Sequence, residues 1–141
     1  GIAVHESFGS IVAMVVTAGL VNRQIRIIEA VSAIDCGRVI APDSVRAQLQ
    51  GAAVMGLSAA LGEAVTFADG EAVERNFHAY QVARMADMPS RFVTLLVESG
   101  EALGGVGEPG LPPAAPALAN ALARATGRRM RTLPLGPAYA A

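Results

Sequence analysis

The stretch GGVGEPG at residues 104–110 holds a single carboxylate, Glu108, in a glycine- and proline-rich setting. Four glycines within these seven residues allow the backbone to adopt positive φ and to approach other groups closely. Pro109 fixes its own φ and favours an extended conformation at Glu108. No other charged residue lies within six positions of Glu108. The stretch is either a surface turn with a solvated acid or a loop that positions a general base in an apolar pocket.

Gln48 is a second residue with suitable chemistry, because an amide both donates and accepts hydrogen bonds. It lies one turn into a predicted helix, where a glutamine is also commonly solvated. His78, near two aromatic residues, is either a packed core group or a weak candidate for a proton relay. His5 and Glu6 are adjacent and would point apart on a strand, so neither is given a catalytic role.

The elements that must position these residues are predicted from apolar periodicity and turn residues. A helix at 44–61, capped by Asp43 or Ser44, carries Gln48 one turn from its start and an apolar stripe made thin by glycine and alanine. A helix at 114–126 follows the Glu108 loop and ends at Gly127. The predicted strands, listed in order, are 11–20 and 24–36 as a hairpin, 63–67 and 72–76 around Asp69-Gly70, 91–98, and 128–133.

Residues 1–10 are predicted to be irregular and 134–141 to form a tail. The resulting order, ββ-α-ββ-β-α-β, predicts an α+β domain with a mixed or antiparallel sheet and both helices on one face. Glu108 and Gln48 are both expected near helix N-termini, whose free N–H groups suit an anionic ligand.

Composition excludes several classes of function. The 141 residues carry a net charge of −1 and no Trp, which argues against nucleic-acid binding. The one cysteine, Cys36, has no partner for a disulfide, a zinc site or an iron–sulfur cluster. No apolar run is long enough for a membrane span. Charged residues make up 16% of the chain, below the usual quarter or so, so much of the surface is expected to be covered by other protein.

GGVGEPG followed by PPAAPALANALARATG resembles the C-terminal end of the large subunit of molybdenum hydroxylases, the xanthine oxidase and aldehyde oxidase superfamily. The chain is most similar to the isoquinoline 1-oxidoreductase branch. The resemblance also rests on further motifs in the same order, HESFGS, AIDCGRVIAPDSVRAQLQG, GLSAAL and NFHAY. It covers nearly the whole chain, so residues 1–141 are predicted to be one segment of the molybdopterin-binding domain of a larger subunit.

The resemblance implies hydroxylation of an N-heterocycle or an aldehyde, with water as the oxygen source and Glu108 as the active-site base. It implies that Gln48, in a Gln-x-x-Gly pattern, and the backbone of Gly107 bind a molybdenum–pterin cofactor. Whether that cofactor is a cytosine dinucleotide is left open. Many relatives have a second glutamine where this chain has Met55, so the contact there is expected to be apolar.

The implied partners are the remainder of the large subunit, a separate 2Fe-2S subunit, and a small aromatic heterocycle or aldehyde as substrate. The chain alone is expected to hold no cofactor and to be inactive. Bacterial cytoplasm and periplasm both remain open as compartments. The alternative is a non-catalytic assembly or scaffolding module of a larger complex. A stand-alone hydrolase is disfavoured because Gly-x-Ser-x-Gly is missing.

Overall fold

The computed structural model describes residues 1–137 and contains six strands and two α-helices in that range. In chain order these are β1 (Ile2–Ser7), β2 (Ser10–Val21), β3 (Gln24–Asp35), α1 (Pro42–Leu61), β4 (Phe67–Ala68), β5 (Glu71–Ala72), β6 (Arg91–Val97) and α2 (Ala114–Thr126). A 3₁₀ turn at Met85–Asp87 precedes β6.

The first three strands form an antiparallel meander joined by two-residue turns. The central residues of both turns, Phe8-Gly9 and Asn22-Arg23, have positive φ, as required by the hairpin turn whose twist matches that of paired strands. The hairpin predicted at 11–20 and 24–36 is therefore confirmed.

The prediction that residues 1–10 are irregular is wrong, because β1 pairs with β2 from Ile2↔Val15 to Ser7↔Ser10. The polar residues His5, Glu6 and Ser7 concealed its alternation of exposed and half-buried side chains.

The main sheet has the order β1-β2-β3-β6, with β6 parallel to β3. A parallel pair needs a long crossover, and the chain between β3 and β6 provides it with α1 and segment 62–90, which contains β4, β5 and the 3₁₀ turn. The prediction of an α+β domain with a mixed sheet is confirmed.

Both helices pack on the same face of the sheet, as predicted. The buried side chains of β2 alternate along the strand, so they all point towards the helices. The larger cluster joins them to α1 and α2, and its members are Met14, Val16, Ile27, Ala53, Leu57, Ala60, Ala114, Ala117, Leu118, Leu122 and Leu135. A second cluster lies beside the glycine-rich loop and consists of Val12, Ile34, Cys36, Val45 and Leu49.

The helix bounds agree closely with the predictions, but the cap of α1 does not. Helix α1 begins at Pro42, and its N-cap is Ala41 with no side-chain hydrogen bond. Asp43 instead forms an exposed ion pair with Arg46 at 3.1 Å. Helix α2 ends at Gly127, which has a φ of 72° as in the common glycine cap.

The predicted strands at 63–67 and 72–76 are reduced to the two-residue pair β4 and β5, around the expected Asp69-Gly70 turn. The strand predicted at 128–133 is wrong, because this segment has no partner strand among the described residues. Its Met130 packs against the helical core instead.

The tail predicted at 134–141 is also partly wrong. Leu135 is buried, and its N–H donates to the Ala60 carbonyl at 2.7 Å. Residues 138–141 lie outside the described part of the chain.

Candidate functional site

The first half of the loop that carries Glu108 is fixed to the turn between β1 and β2. The Gly105 N–H donates to the Phe8 carbonyl at 2.8 Å, and the Ser10 hydroxyl donates to the Gly105 carbonyl at 2.7 Å. The Gly104 N–H donates to the Cys36 carbonyl at 3.0 Å. A Cβ on Gly104 would lie 2.8 Å from the carbonyl carbon of Gly9, so this contact requires glycine.

The second half of the loop lies directly on α1. Gly110 is buried, and a Cβ on it would meet Leu49 Cδ1 at 3.0 Å and Ala52 Cβ at 3.1 Å. The Glu108 carbonyl accepts the Leu111 N–H at 2.9 Å, which closes a turn around buried Pro109. The backbone on both sides of Glu108 is therefore anchored.

The loop, α1 and β1 together border a cavity of about 710 Å³ that is open to solvent, and Gln48, Gly107 and Glu108 are exposed. Its lining residues are His5, Ser7, Phe8, Gln48, Gly51, Ala52, Met55, Gly107, Glu108, Leu111 and Pro112. The three residues predicted as site residues, Glu108, Gln48 and Gly107, thus line one cavity, although Gln48 is 60 positions from Glu108 in the chain. A Cβ on Gly107 would lie 3.9 Å from Gln48 Nε2, so the Gln48 amide lies against the loop.

The prediction that Glu108 and Gln48 lie near helix N-termini is only partly confirmed. Gln48 is the seventh residue of α1, and Glu108 lies six residues before α2 begins. The first N–H of α2, on Ala114, is already bonded to the Leu111 carbonyl at 3.1 Å. The cavity therefore receives side chains and loop backbone, with little contribution from helix termini.

His5, Ser7 and Phe8 are cavity residues that the sequence predictions missed. His5 and Ser7 belong to β1, whose alternation of Ala3, His5 and Ser7 turns these side chains towards the helices, and Phe8 lies in the turn that follows. That alternation in IAVHES is the signal that could have found them. His78, the weak relay candidate, is exposed and does not line the cavity.

Glu108 is the one acidic side chain among the described residues that line the cavity. Neither Lys nor Arg is among its lining residues, and Phe8, Met55 and Leu111 make much of the wall apolar. Among residues 1–137 no protein group hydrogen-bonds the Gln48 amide, and Gln48 is exposed to solvent. The Ser7 hydroxyl is buried without a partner. A buried polar group beside a cavity is a place where water or a ligand can complete the hydrogen bond.

The donor set also bears on metal binding. In the described residues no group of three or more His, Cys, Asp or Glu could hold a metal ion. The amide of Gln48 and the glycine backbone at Gly107 can donate and accept hydrogen bonds at the polar edge of an organic molecule.

The fold is an α+β domain, and its cavity places one acid beside an amide and open glycine backbone. The family model for the molybdopterin cofactor-binding domain matches residues 5–89. The chain belongs to this family, as the sequence motifs had predicted.

Several curated proteins are similar to the chain. The isoquinoline 1-oxidoreductase subunit beta of Brevundimonas diminuta is 46% identical over 108 residues, which is 77% of this chain and 14% of that protein. A membrane-bound aldehyde dehydrogenase of Gluconacetobacter polyoxogenes is 39% identical over 74% of this chain and 14% of its own length. The chain thus spans a small part of the relatives that it matches.

Solved structures share the fold. Quinoline 2-oxidoreductase from Pseudomonas putida 86 matches with a TM-score of 0.77 and 23% identity, over 92% of this chain and 18% of that one. The aldehyde oxidoreductase from Desulfovibrio desulfuricans matches with a TM-score of 0.77 and 22% identity, over 93% of this chain and 15% of that one. No helix among residues 1–137 has both the length and the hydropathy needed to cross a membrane.

Proposed function

We propose that this chain forms part of the large subunit of a molybdenum hydroxylase that oxidises an N-heterocycle or an aldehyde, with Glu108 as its active-site base. The observation that carries the proposal is the meeting of Glu108, Gln48 and Gly107 in one cavity of a molybdopterin cofactor-binding domain. The substrate classes follow the relatives, which are named for isoquinoline and for aldehyde.

The molybdenum cofactor, when bound, supplies a Lewis-acid metal that makes water acidic enough to act as a nucleophile near neutral pH. The role of this chain is to accept the proton. Of the described residues that line the cavity, Glu108 is the only carboxylate, and a loop anchored on both sides holds its backbone. A positioned carboxylate within reach of the acidic proton contributes about 10²- to 10⁴-fold to the rate.

Gln48 and Gly107 hold the cofactor in this proposal. The Gln48 amide is free to donate and to accept a hydrogen bond at the cofactor edge. Glycine at position 107 leaves the backbone open beside that amide. The apolar side chains of Phe8, Met55 and Leu111 would exclude water and pack on the flat ring of a heterocycle.

The remaining walls of the site would come from other sequence. The chain spans 14% of the isoquinoline 1-oxidoreductase subunit beta, and its one cysteine excludes an iron–sulfur cluster held by this chain alone. We therefore place the 2Fe-2S centres on a separate subunit and the rest of the pocket on the remainder of the large subunit. By itself the chain would bind no cofactor and would be inactive.

The test is Glu108→Gln in the complete enzyme, with Glu101→Gln as the matched control. Glu101 is an exposed acid seven residues earlier that does not line the cavity. We expect Glu108→Gln to retain molybdenum and pterin but to lose about 10²- to 10⁴-fold in kcat, while Glu101→Gln stays near the parent. Full turnover of Glu108→Gln would refute the role of the base and favour a structural or scaffolding role for the domain.

A further inference from the structure

The face of the main sheet that points away from the helices carries an apolar surface, here called the outer face. Its members are Ile2, Val4, Ile11, Ala13, Val15, Val31, Ala33, Val93, Leu95 and Val97, which stand on neighbouring strands in direct register. No element among residues 1–137 covers it, and Val4 and Leu95 are 64% and 54% exposed. Contiguous apolar surface of this kind marks an interaction site.

Polar groups border the outer face at both ends of the strands. At one end Glu29 and Arg91 form an ion pair at 3.0 Å. At the other end lie Glu6, which is paired with Ile11, and Asp35, which is paired with Ile11 and Val97. An apolar centre within a polar rim is the usual anatomy of a protein interface.

Strand β6 has the composition of a strand that is covered on both faces. Its sequence RFVTLLV is apolar on both sides: Phe92 and Leu96 pack towards the helices, while Val93 and Leu95 belong to the outer face. Strands in parallel pairing are usually covered on both faces and have this near-continuous apolar sequence. A strand built only for one buried face would alternate with polar residues.

We propose that another part of the same large-subunit polypeptide packs on the outer face as a third layer. The proposal rests on the function proposed above, in which the chain is one segment of that subunit. The relative that is 46% identical has 86% of its length outside the match (100% less 14%), so it has ample sequence for such a layer.

Photo-crosslinking in the complete enzyme tests which polypeptide covers the outer face. The photoreactive residue p-benzoylphenylalanine would replace Leu95, and irradiated protein would be separated under denaturing conditions and mapped by mass spectrometry. We expect a crosslink within one large subunit, to a residue outside these 141, and no increase in mass. A product of twice the subunit mass, or a crosslink to another subunit, would overturn the proposal.

A smaller replacement guards against disturbance by the bulky photoreactive group. Val4→Cys and Leu95→Cys in the complete enzyme would be treated with a maleimide before and after unfolding in urea, with the parent enzyme as background. Within the described residues the only native thiol, Cys36, is buried. We expect both new thiols to react at least tenfold faster after unfolding. Equal rates in the folded enzyme would show a free surface and refute the proposal. Neither readout depends on turnover, so failure here is distinguishable from failure of the role of Glu108.

Discussion

Replacing Gly56 by alanine tests whether close approach of α1 and α2 positions the site. Gly56 lies in the interior of α1, where glycine costs up to about 1 kcal/mol relative to alanine. A Cβ there would lie 2.7 Å from the Ala114 Cβ and 2.8 Å from the Leu111 carbonyl oxygen, distances that real Cβ atoms essentially never show. The helices and the loop end at Leu111 would therefore have to move apart.

Gly51→Ala is the matched control, because Gly51 lies in the same helix and its Cβ would meet nothing within 4 Å. Both substitutions gain the same intrinsic helix propensity, up to about 1 kcal/mol. That gain cancels when the two variants are compared. The difference that remains is the overpacking cost at Gly56, about 1–3 kcal/mol.

Urea unfolding of the chain, followed by far-ultraviolet circular dichroism, measures this difference. We expect Gly51→Ala to be more stable than the parent and Gly56→Ala to be less stable than Gly51→Ala by about 1–3 kcal/mol. In the complete enzyme Gly56→Ala should also lower kcat, because Leu111 belongs to the turn that holds Glu108. Equal free energies of unfolding for the two variants would refute the argument that glycine is needed for this contact.

Gln48→Leu should lower the molybdenum and pterin content of the complete enzyme, as measured by metal analysis and fluorescence. Gln50→Leu, on the same helix but outside the cavity, should leave that content unchanged. Equal content in both variants would contradict cofactor binding by Gln48. Hydrogen bonds from the Gly37 N–H and the Ser99 hydroxyl lower the pKa of Asp35 below its ordinary 3.8. The unfolded chain thus binds this proton more tightly, so the stabilisation is present above pH 3.8 and disappears as the pH falls through the native pKa. Ser99→Ala should raise that pKa towards 3.8 in a carboxyl NMR titration; an unchanged value would contradict the assignment. The chain purified alone from molybdenum-replete cells should contain no molybdenum, and a stoichiometric amount would show that these residues build a complete pocket.

Local signals were sufficient for much of the fold. The helices have strong start and stop signals, Pro42 at the start of α1 and Gly127 after α2. Their predicted bounds differ from the observed ones by at most two residues. The hairpin of β2 and β3 was predictable because its β-branched runs flank a short polar turn. These elements depend mainly on residues close in sequence.

The errors fall where distant residues decide the conformation. Strand β1 contains His5, Glu6 and Ser7, and it is a strand because β2 offers it an edge. Segment 128–133, which contains three arginines, finds no strand beside it among the described residues, and its Met130 packs on the helical core. The intrinsic preference of a strand is weak, so tertiary context determines the outcome.

The same distinction applies to the site. Glu108, Gln48 and Gly107 were predicted because their motifs resemble those of a family, and the structure brings them to one cavity. His5 and Phe8 were missed because they reach the cavity only through the pairing of β1. Spacing along the chain does not show that residues 5–8 and 107–112 line the same cavity.

The hydrogen bond between Ser10 and Gly105 joins residues 95 positions apart, and this separation sets the order of events during biosynthesis. A ribosome adds about 5–20 residues per second, so β1 waits roughly 5–20 s for the Glu108 loop to be made. Contacts between such distant residues also form late in folding, because closing a long loop costs entropy before any contact is gained. The cavity therefore remains incomplete until the Glu108 loop has been made. Any molecule that fills it must enter after synthesis has passed residue 112.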